Sequence, residues 1–425
     1  MANDFNKEER VAFEQLLEGF QDAEVMSKNV HKYSTDQQTM ERANDTIWRP
    51  QPYVMPSYDG QDQTSNFNDK TQLAVPASIN IEKSSPWTMT ATELRDSLQE
   101  GRLGDGAKQK IASDINRSIL DIASAQGSLV VPITGAATGF DDVALVEAIM
   151  NEQGVQDYER ILALSTRDYN GMAGNLADRA DISAKKSLTA YEKAYVGEIC
   201  SFDTWKLDYA NRITAAAGGA ITVDTTAATT FYTPSGVDLT QAGQKNVDNR
   251  FDTVTFADGA GDISLVVPGD AFTIAGIEAV HQITKQSTGQ LKTFRVISAT
   301  DTTITFTPPM VDPDEGAGDH SETQYQNVDA VSTSATAAVT WLNANAARIN
   351  PFWYKDSIEI LPGRYAVPEN AGAAVMRGNT DSGLELVMSK QFDLKTFKTN
   401  YRVDARWGVV NLCPEMSGIL LFDQP

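Results

Sequence analysis

The stretch from Ala107 to Gly127, AKQKIASDINRSILDIASAQG, constrains this chain more than any other. At about 100° per residue, Ala107, Ile111, Ala112, Ile115, Ile119, Ile122 and Ala123 share one arc. Lys110, Ser113, Asp114, Arg117, Asp121 and Ser124 lie opposite. The spacing predicts an amphipathic helix with Asp105 as N-cap and Gly127 as a left-handed C-cap. Some twenty residues rising about 1.5 Å each make a rod of about 30 Å. Leu120 breaks the pattern by falling on the polar side. Two readings stand: a surface leucine of the kind soluble proteins tolerate, or a back face that meets another chain.

The flanking sequence predicts a mixed fold. Residues 5–30 read as an amphipathic helix with Phe13, Leu16, Leu17 and Phe20 on one side and Glu14 and Glu18 among the acids of the other. From 30 to about 85 the chain turns polar, and prolines at 50, 52, 56 and 76 forbid a long helix, so an extended arm and a long loop or hairpin are expected. Thr90-Ala91-Thr92-Glu93 spells a capping box that opens a short helix to about Gln99. Then come a strand (128–133), a helix (141–152) ending at Gly154, a strand (160–165) and a glycine-broken helical piece (168–179). Without a regular βαβ period, the class is α+β.

At about Ile213 the texture changes. To roughly Asn343 the chain is rich in Thr, Val, Gly and Asp, with strands expected at 221–225, 229–233, 251–256, 263–267, 271–276, 278–285, 291–299 and 302–307. That spacing predicts a small antiparallel barrel or Greek key inserted in a host domain. Strands resume after Asp381 and close the host.

A chain of 425 residues implies two or three domains. Cys200 and Cys413 are its only cysteines, which argues against a disulfide framework. The charged N-terminal residues lack a signal-peptide core, and no run approaches the ~20 apolar residues of a membrane span. A net charge of −22, from 57 acids and 35 bases, disfavours wrapping nucleic acid directly. His31, His281 and His320 show no metal-ligand spacing, and no phosphate-loop, dinucleotide or nucleophile-elbow motif occurs. The run Asp312 to Asp319 resembles a calcium loop in charge only, because Pro313 and the glycine positions spoil the geometry. No enzyme chemistry, cofactor or metal is expected.

Scattered fragments in a fixed order carry a resemblance. They are Lys32-Tyr33, Asn44 to Trp48 with Pro50, Gly127 to Val130, Asp168-Tyr169 with Ala173-Gly174 and Leu176, and Phe202-Asp203. Asn246 to Phe251, Ala347-Arg348, Asn350, Phe352-Trp353, Trp407 to Val409 and Pro414-Glu415 complete them. In these the chain resembles the major coat proteins of short-tailed bacteriophages such as the Salmonella phage P22.

The resemblance implies an α+β HK97-type capsid fold with an inserted antiparallel β-barrel or Greek-key domain. Its parts would be an N-terminal arm (1–46), an extended loop (47–85) and a peripheral domain (86–155 and 392–425) carrying the spine helix 107–127. An axial domain (156–212 and 345–391) and the inserted β domain (213–344) complete the division. It further implies a major capsid protein of the virion, assembled in the bacterial cytoplasm as pentamers and hexamers of an icosahedral procapsid with scaffolding and portal proteins. That shell would then expand around double-stranded DNA without reading its sequence, and no membrane is involved. Glu14 and Glu18 become candidates for scaffold recognition, with Gln15 between them where the family has an acid. Asp238, Gln241, Gly243 and Lys245 become candidates for an inter-capsomer loop, and Leu120 for an inter-subunit spine face. Two other classes stay open on the residues alone: a hydrolase or lyase with an inserted β lid, and a β-rich surface-binding or decoration protein.

Overall fold

The computed structural model describes residues 10, 13–14, 16–17, 20, 25–33, 46–52, 54, 57, 59–64, 67, 73–90, 97–178, 196–224, 248–311, 323–329, 337–366, 372–380 and 383–423. In chain order, the first strands are β1 (His31–Lys32), β2 (Thr46–Pro50), β3 (Ala74–Ser78) and β4 (Ile81–Thr90). Helix α1 (Ser97–Gln126) leads to β5 (Leu129–Ile133), α2 (Phe140–Glu152), β6 (Arg160–Ser165) and α3 (Thr166–Asp178). Next come β7 (Glu198–Ile199), β8 (Phe202–Leu207), β9 (Arg212–Ile213), β10 (Thr222–Val223) and β11 (Asp252–Ala257). They are followed by β12 (Ala271–Val280), β13 (Ser287–Ala299), β14 (Thr303–Thr307), β15 (Val339–Trp341) and β16 (Ala347–Tyr354). The chain finishes with β17 (Ile358–Pro362), β18 (Ala374–Asn379), β19 (Glu385–Asp393), β20 (Lys398–Asn411) and β21 (Ser417–Phe422).

The chain divides into two compact units. The first comprises Met1–Ile47, Ala77–Leu120 and Ile358–Val410. Its sheet runs β1-β17-β20-β19-β18, with β4 also on β20, antiparallel from Thr90↔Lys398 to Ile81↔Trp407. Ala107, Ile111, Ala112, Ile115 and Ile119 of α1 are buried, and the buried Trp407 donates its indole N–H to Ser118 Oγ at 2.9 Å. Burying five such side chains is what holds a helix of this length, since propensity alone stabilises it little.

The second unit comprises Trp48–Pro76, Asp121–Ser357 and Asn411–Pro425. Its seven-stranded sheet is ordered β5-β21-β16-β6-β8-β7, with β9 also on β16. β5 with β21 and β6 with β8 are parallel, and β16 is antiparallel to both of its main neighbours. One face packs Leu129, Val131, Leu162, Leu164, Phe352 and Leu420 against Val143, Val146 and Met150 of α2 and Met172 of α3. The other buries Val130, Ile349, Ile419 and Leu421. A sheet covered on both faces explains why RILALS and SGILLF read as continuous apolar runs. Asn350 pins its centre, accepting from Ser165 N at 2.6 Å and donating to Asp168 Oδ2 at 3.0 Å.

The same unit holds a six-stranded antiparallel sheet, β10-β11-β14-β13-β12-β15. Its two edges meet. Val223 N donates to Ala337 O at 3.0 Å, Val339 N donates to Ile221 O at 3.1 Å, and Thr222 bridges Ala338. The sheet therefore closes on itself and leaves no free edge at that seam. Phe256, Phe272, Phe294 and Phe306 fill it, with ring centroids 5.0–6.2 Å apart.

Several expectations change at the level of elements. Asp105 is not an N-cap: α1 is described from Ser97 and runs through Gly101, Gly104, Asp105 and Gly106, so the last residues of the short helix expected to about Gln99 belong to it, while Ala91 to Glu93 of its capping box lie outside the described residues. Glycine costs about 1 kcal/mol in a helix but does not stop it as proline does, and no proline interrupts these thirty residues. Gly127 is absent from the glycines with positive φ. A Cβ there would stand 2.8 Å from Gly418 N and 2.9 Å from Gly418 Cα, so close backbone approach demands the glycine. Residues Ile263–Leu265 form a 3-10 turn rather than a strand, because Asp258 and Asp262 accept from Ile263 N and Ser264 N, both at 2.9 Å. The strands expected at 271–276 and 278–285 are one, β12, with Gly276 at φ 84° where its register shifts. The strand expected at 229–233 lies outside the described residues.

Candidate assembly surfaces

The N-terminal segment builds one surface in the first unit. Phe13, Leu16 and Phe20 are buried, and Glu14 between them is exposed. A Cβ on Gly378 of β18 would stand 2.9 Å from Leu17 Cδ2 and 3.1 Å from Phe13 Cε1, so the segment's apolar side beds on that strand. Glu18 lies outside the described residues. Leu120 of α1 is half-buried, between the buried Ile119 and the half-buried Asp121.

The strands β2 and β3 form a two-stranded ribbon. At its base Gln51 N donates to Leu73 O at 2.9 Å, and Leu73 N donates to Tyr325 Oη at 2.9 Å. Leu73, Val311 and Tyr325 pack as a small core there. Between the strands Phe67 is 87 % exposed. Asp62 accepts from Thr64 N at 3.1 Å and Thr64 Oγ1 at 2.6 Å, which holds its carboxyl below the ordinary value. Asp238, Gln241, Gly243 and Lys245 lie outside the described residues, as does the acidic run Asp312 to Asp319.

The closed sheet is fastened within the second unit by polar groups, of which Asp248, Arg250 and Glu415 belong to the fragments that carry the resemblance. Lys292, 1 % exposed, pairs with Glu415. Thr293 Oγ1 donates to Ser128 O at 2.7 Å, and Arg295 Nη2 donates to Ser124 O at 2.9 Å in the last turn of α1. Asn343 Nδ2 donates to Asp270 Oδ1 at 2.8 Å and to Thr214 O at 2.9 Å. Arg250 grips Asp248 twice, Nε to Oδ1 at 2.9 Å and Nη2 to Oδ2 at 2.7 Å, and donates through Nη1 to Asn411 O at 2.7 Å. For Lys292 and Arg295 the sequence signal was charge inside LKTFRVISA, where they interrupt a β-branched strand. A buried cation inside a strand calls for a partner.

Burial pushes the Asp252 carboxyl up to about 6, against opposing hydrogen bonds from Thr253 and Met310 backbone groups. A carboxylate whose folded pKa is raised favours the folded state below its unfolded pKa, and that contribution is lost as pH rises through about 6. Asp252→Asn is therefore expected to raise stability at pH 7.5 by about 1–2 kcal/mol, after discounting for partial solvent access. The same change should flatten the stability profile between pH 4 and about 6. Urea unfolding across that range checks both.

The groups that could carry chemistry do other work. Burial raises Cys200 to about 11 and Cys413 to about 12, so neither is a thiolate at neutral pH. His281 Nδ1 accepts from Ile283 N and Thr284 N, both at 3.2 Å, as a turn-former. His31 stands 3.8 Å from Glu359, and His320 lies outside the described residues. Among the described residues no group of three or more His, Cys, Asp or Glu could hold a metal ion. No described helix is long and apolar enough to cross a membrane.

Comparison with known proteins gives these surfaces a context. A family model described as P22 coat protein, gene protein 5, matches residues 1–423. Among solved structures, the CUS-3 coat protein I-domain is 34% identical, with 29% of this chain and 96% of that one covered and a TM-score of 0.22. A structure from Mycobacterium phage Che8 is 9% identical, covering 93% of this chain and 90% of that one at a TM-score of 0.45. A capsid structure of the cyanophage P-SCSP1u is also 9% identical, covering 93% and 86% at a TM-score of 0.41. A match over residues 1–423 carries the architecture of HK97-type capsid proteins and a structural role in the virion. The chain belongs to the P22 coat protein family and is a major capsid protein, the subunit of an icosahedral phage shell.

Proposed function

We propose that this subunit assembles in the bacterial cytoplasm as pentamers and hexamers of a procapsid, with scaffolding and portal proteins, and that the shell expands as double-stranded DNA enters. The observation that carries the reading is the family match over residues 1–423. A net charge of −22 supports enclosure of DNA without adhesion to it, because like charges keep the polymer off the wall. In this reading residues 1–46 are the arm, 47–85 the extended loop, 86–155 and 392–425 the peripheral domain, 156–212 and 345–391 the axial domain, and 213–344 an inserted β domain. The exposed Phe67 supports a loop that completes its packing on a neighbour. Asp238, Gln241, Gly243 and Lys245 serve contacts between capsomers, and Leu120 serves contacts along the spine.

Glu14 and Glu18 form the acidic face of the arm that receives scaffold. Replacing both, Glu14→Lys with Glu18→Lys, inverts four units of charge on that face. The expected result is a folded monomer whose scaffold-directed assembly falls at least tenfold, read as procapsid yield on a gradient. An unchanged yield would exclude the arm as the scaffold site.

A further inference from the structure

An open cleft of about 640 Å³ lies beside the last turn of α1, lined among others by Asp121, Ser124, Tyr209, Arg212, Asp270 and Arg295. Arg295 is fully buried, and its Nη2 donates to Ser124 O. Its Nε and Nη1 find no partner among the described residues. A guanidinium carries five donors, and burying them unmet is costly. The acids of the cleft are already engaged. Asp270 accepts from Asn343 Nδ2 at 2.8 Å and from Val267 N at 3.0 Å, and Asp121 accepts from Asn211 Nδ2 at 2.7 Å. Asp270 offsets the buried charge only in part, since burial still holds Arg295 down to about 10. Arg212, exposed, adds a second cation to the same cleft. Tyr209, 63 % exposed, lies at its rim.

We propose that this cleft receives an Asp or Glu side chain from a second copy of the chain, seated on the open Nε and Nη1 of Arg295 and on Arg212. The proposal rests on the shell reading, which supplies the second copy. Charge complementarity selects the side chain: with 57 acids against 35 bases, carboxylates are what a neighbouring copy offers most. The guanidinium carries no exposed surface in the single subunit, so seating requires the Pro268–Gly269 turn to lift. Gly269, at φ 96°, is the lightest possible cover: even a Cβ there would stay 3.8 Å from Arg295 Nη2. The carboxylate also approaches Asp270, and Arg212 is the group that balances this repulsion.

Two measurements test it on the full chain. In a density map of assembled wild-type particles, a carboxylate of a neighbouring subunit should lie within hydrogen-bond distance of Arg295 Nε or Nη1. Particles showing only water there would overturn this site and leave the shell reading intact. Wild-type protein that forms no particles would overturn both. Arg212→Gln changes an exposed side chain of the cleft and should leave monomer melting unchanged. The same variant should cut particle yield at least fivefold. An unchanged particle yield would mark Arg295 as an internal fastening only and sink the proposal.

Discussion

Gly418→Ala will lower the stability of the subunit by about 3 kcal/mol, at the upper end of what overpacking a rigid core costs. Gly418 lies on β21, paired with Leu129 of β5 on one side and Phe352 of β16 on the other. A Cβ there would overlap Leu129 O and stand 2.5 Å from Phe352 Cζ and 2.6 Å from Leu129 Cβ. Two of those three atoms belong to the sheet itself and cannot swing aside. Gly127 faces the same point from the end of α1, so both glycines exist to let the helix exit and β21 touch. Gly106 is the control. It lies inside α1 with nothing within 4 Å of an added Cβ. Gly106→Ala should therefore stabilise by about 1 kcal/mol. Urea midpoints for the two variants should move in opposite directions from wild type, and a tolerated Gly418→Ala would contradict the packing.

Breaking the Lys292–Glu415 pair should cost about as much. Glu415→Ala leaves a cation that is 1 % exposed without its counter-charge, a loss of about 3–5 kcal/mol for a buried pair. The double variant Lys292→Met with Glu415→Leu removes both charges together. It should recover most of that stability, because two apolar side chains of similar volume need no desolvation. Thermal melting of the single and double variants separates the cost of an orphaned charge from the worth of the pair. A double variant as unstable as Glu415→Ala would show that packing, not charge, dominates there.

What the sequence made legible follows from which forces are local. RILALS was readable at its observed bounds, Arg160–Ser165, because a strand buried on both faces is written as an unbroken apolar run. The helix expected at 141–152 appears as Phe140–Glu152, ended by Gly154 at φ 81° as its sequence suggested. The start of α1 was not readable. Three glycines and Asp105 look like punctuation, yet none of them forbids a helix that continues from Ser97. The seam between Thr222 and Ala338 joins residues far apart in the chain, and nothing local announces it. The fastening of Lys292 to Glu415 spans 123 residues for the same reason. As for the candidate surfaces, the arm was legible as amphipathic, with Glu14 on the wet side of Phe13 and Leu16. The unpartnered donors of Arg295 depend on what surrounds it in three dimensions, which no periodicity encodes.

Electron microscopy of the purified full-length protein, expressed with a candidate scaffolding protein, addresses the central claim most directly. The account predicts closed icosahedral shells built of pentamers and hexamers, or polyheads where scaffold is limiting. A stable small monomer under every assembly condition would contradict it.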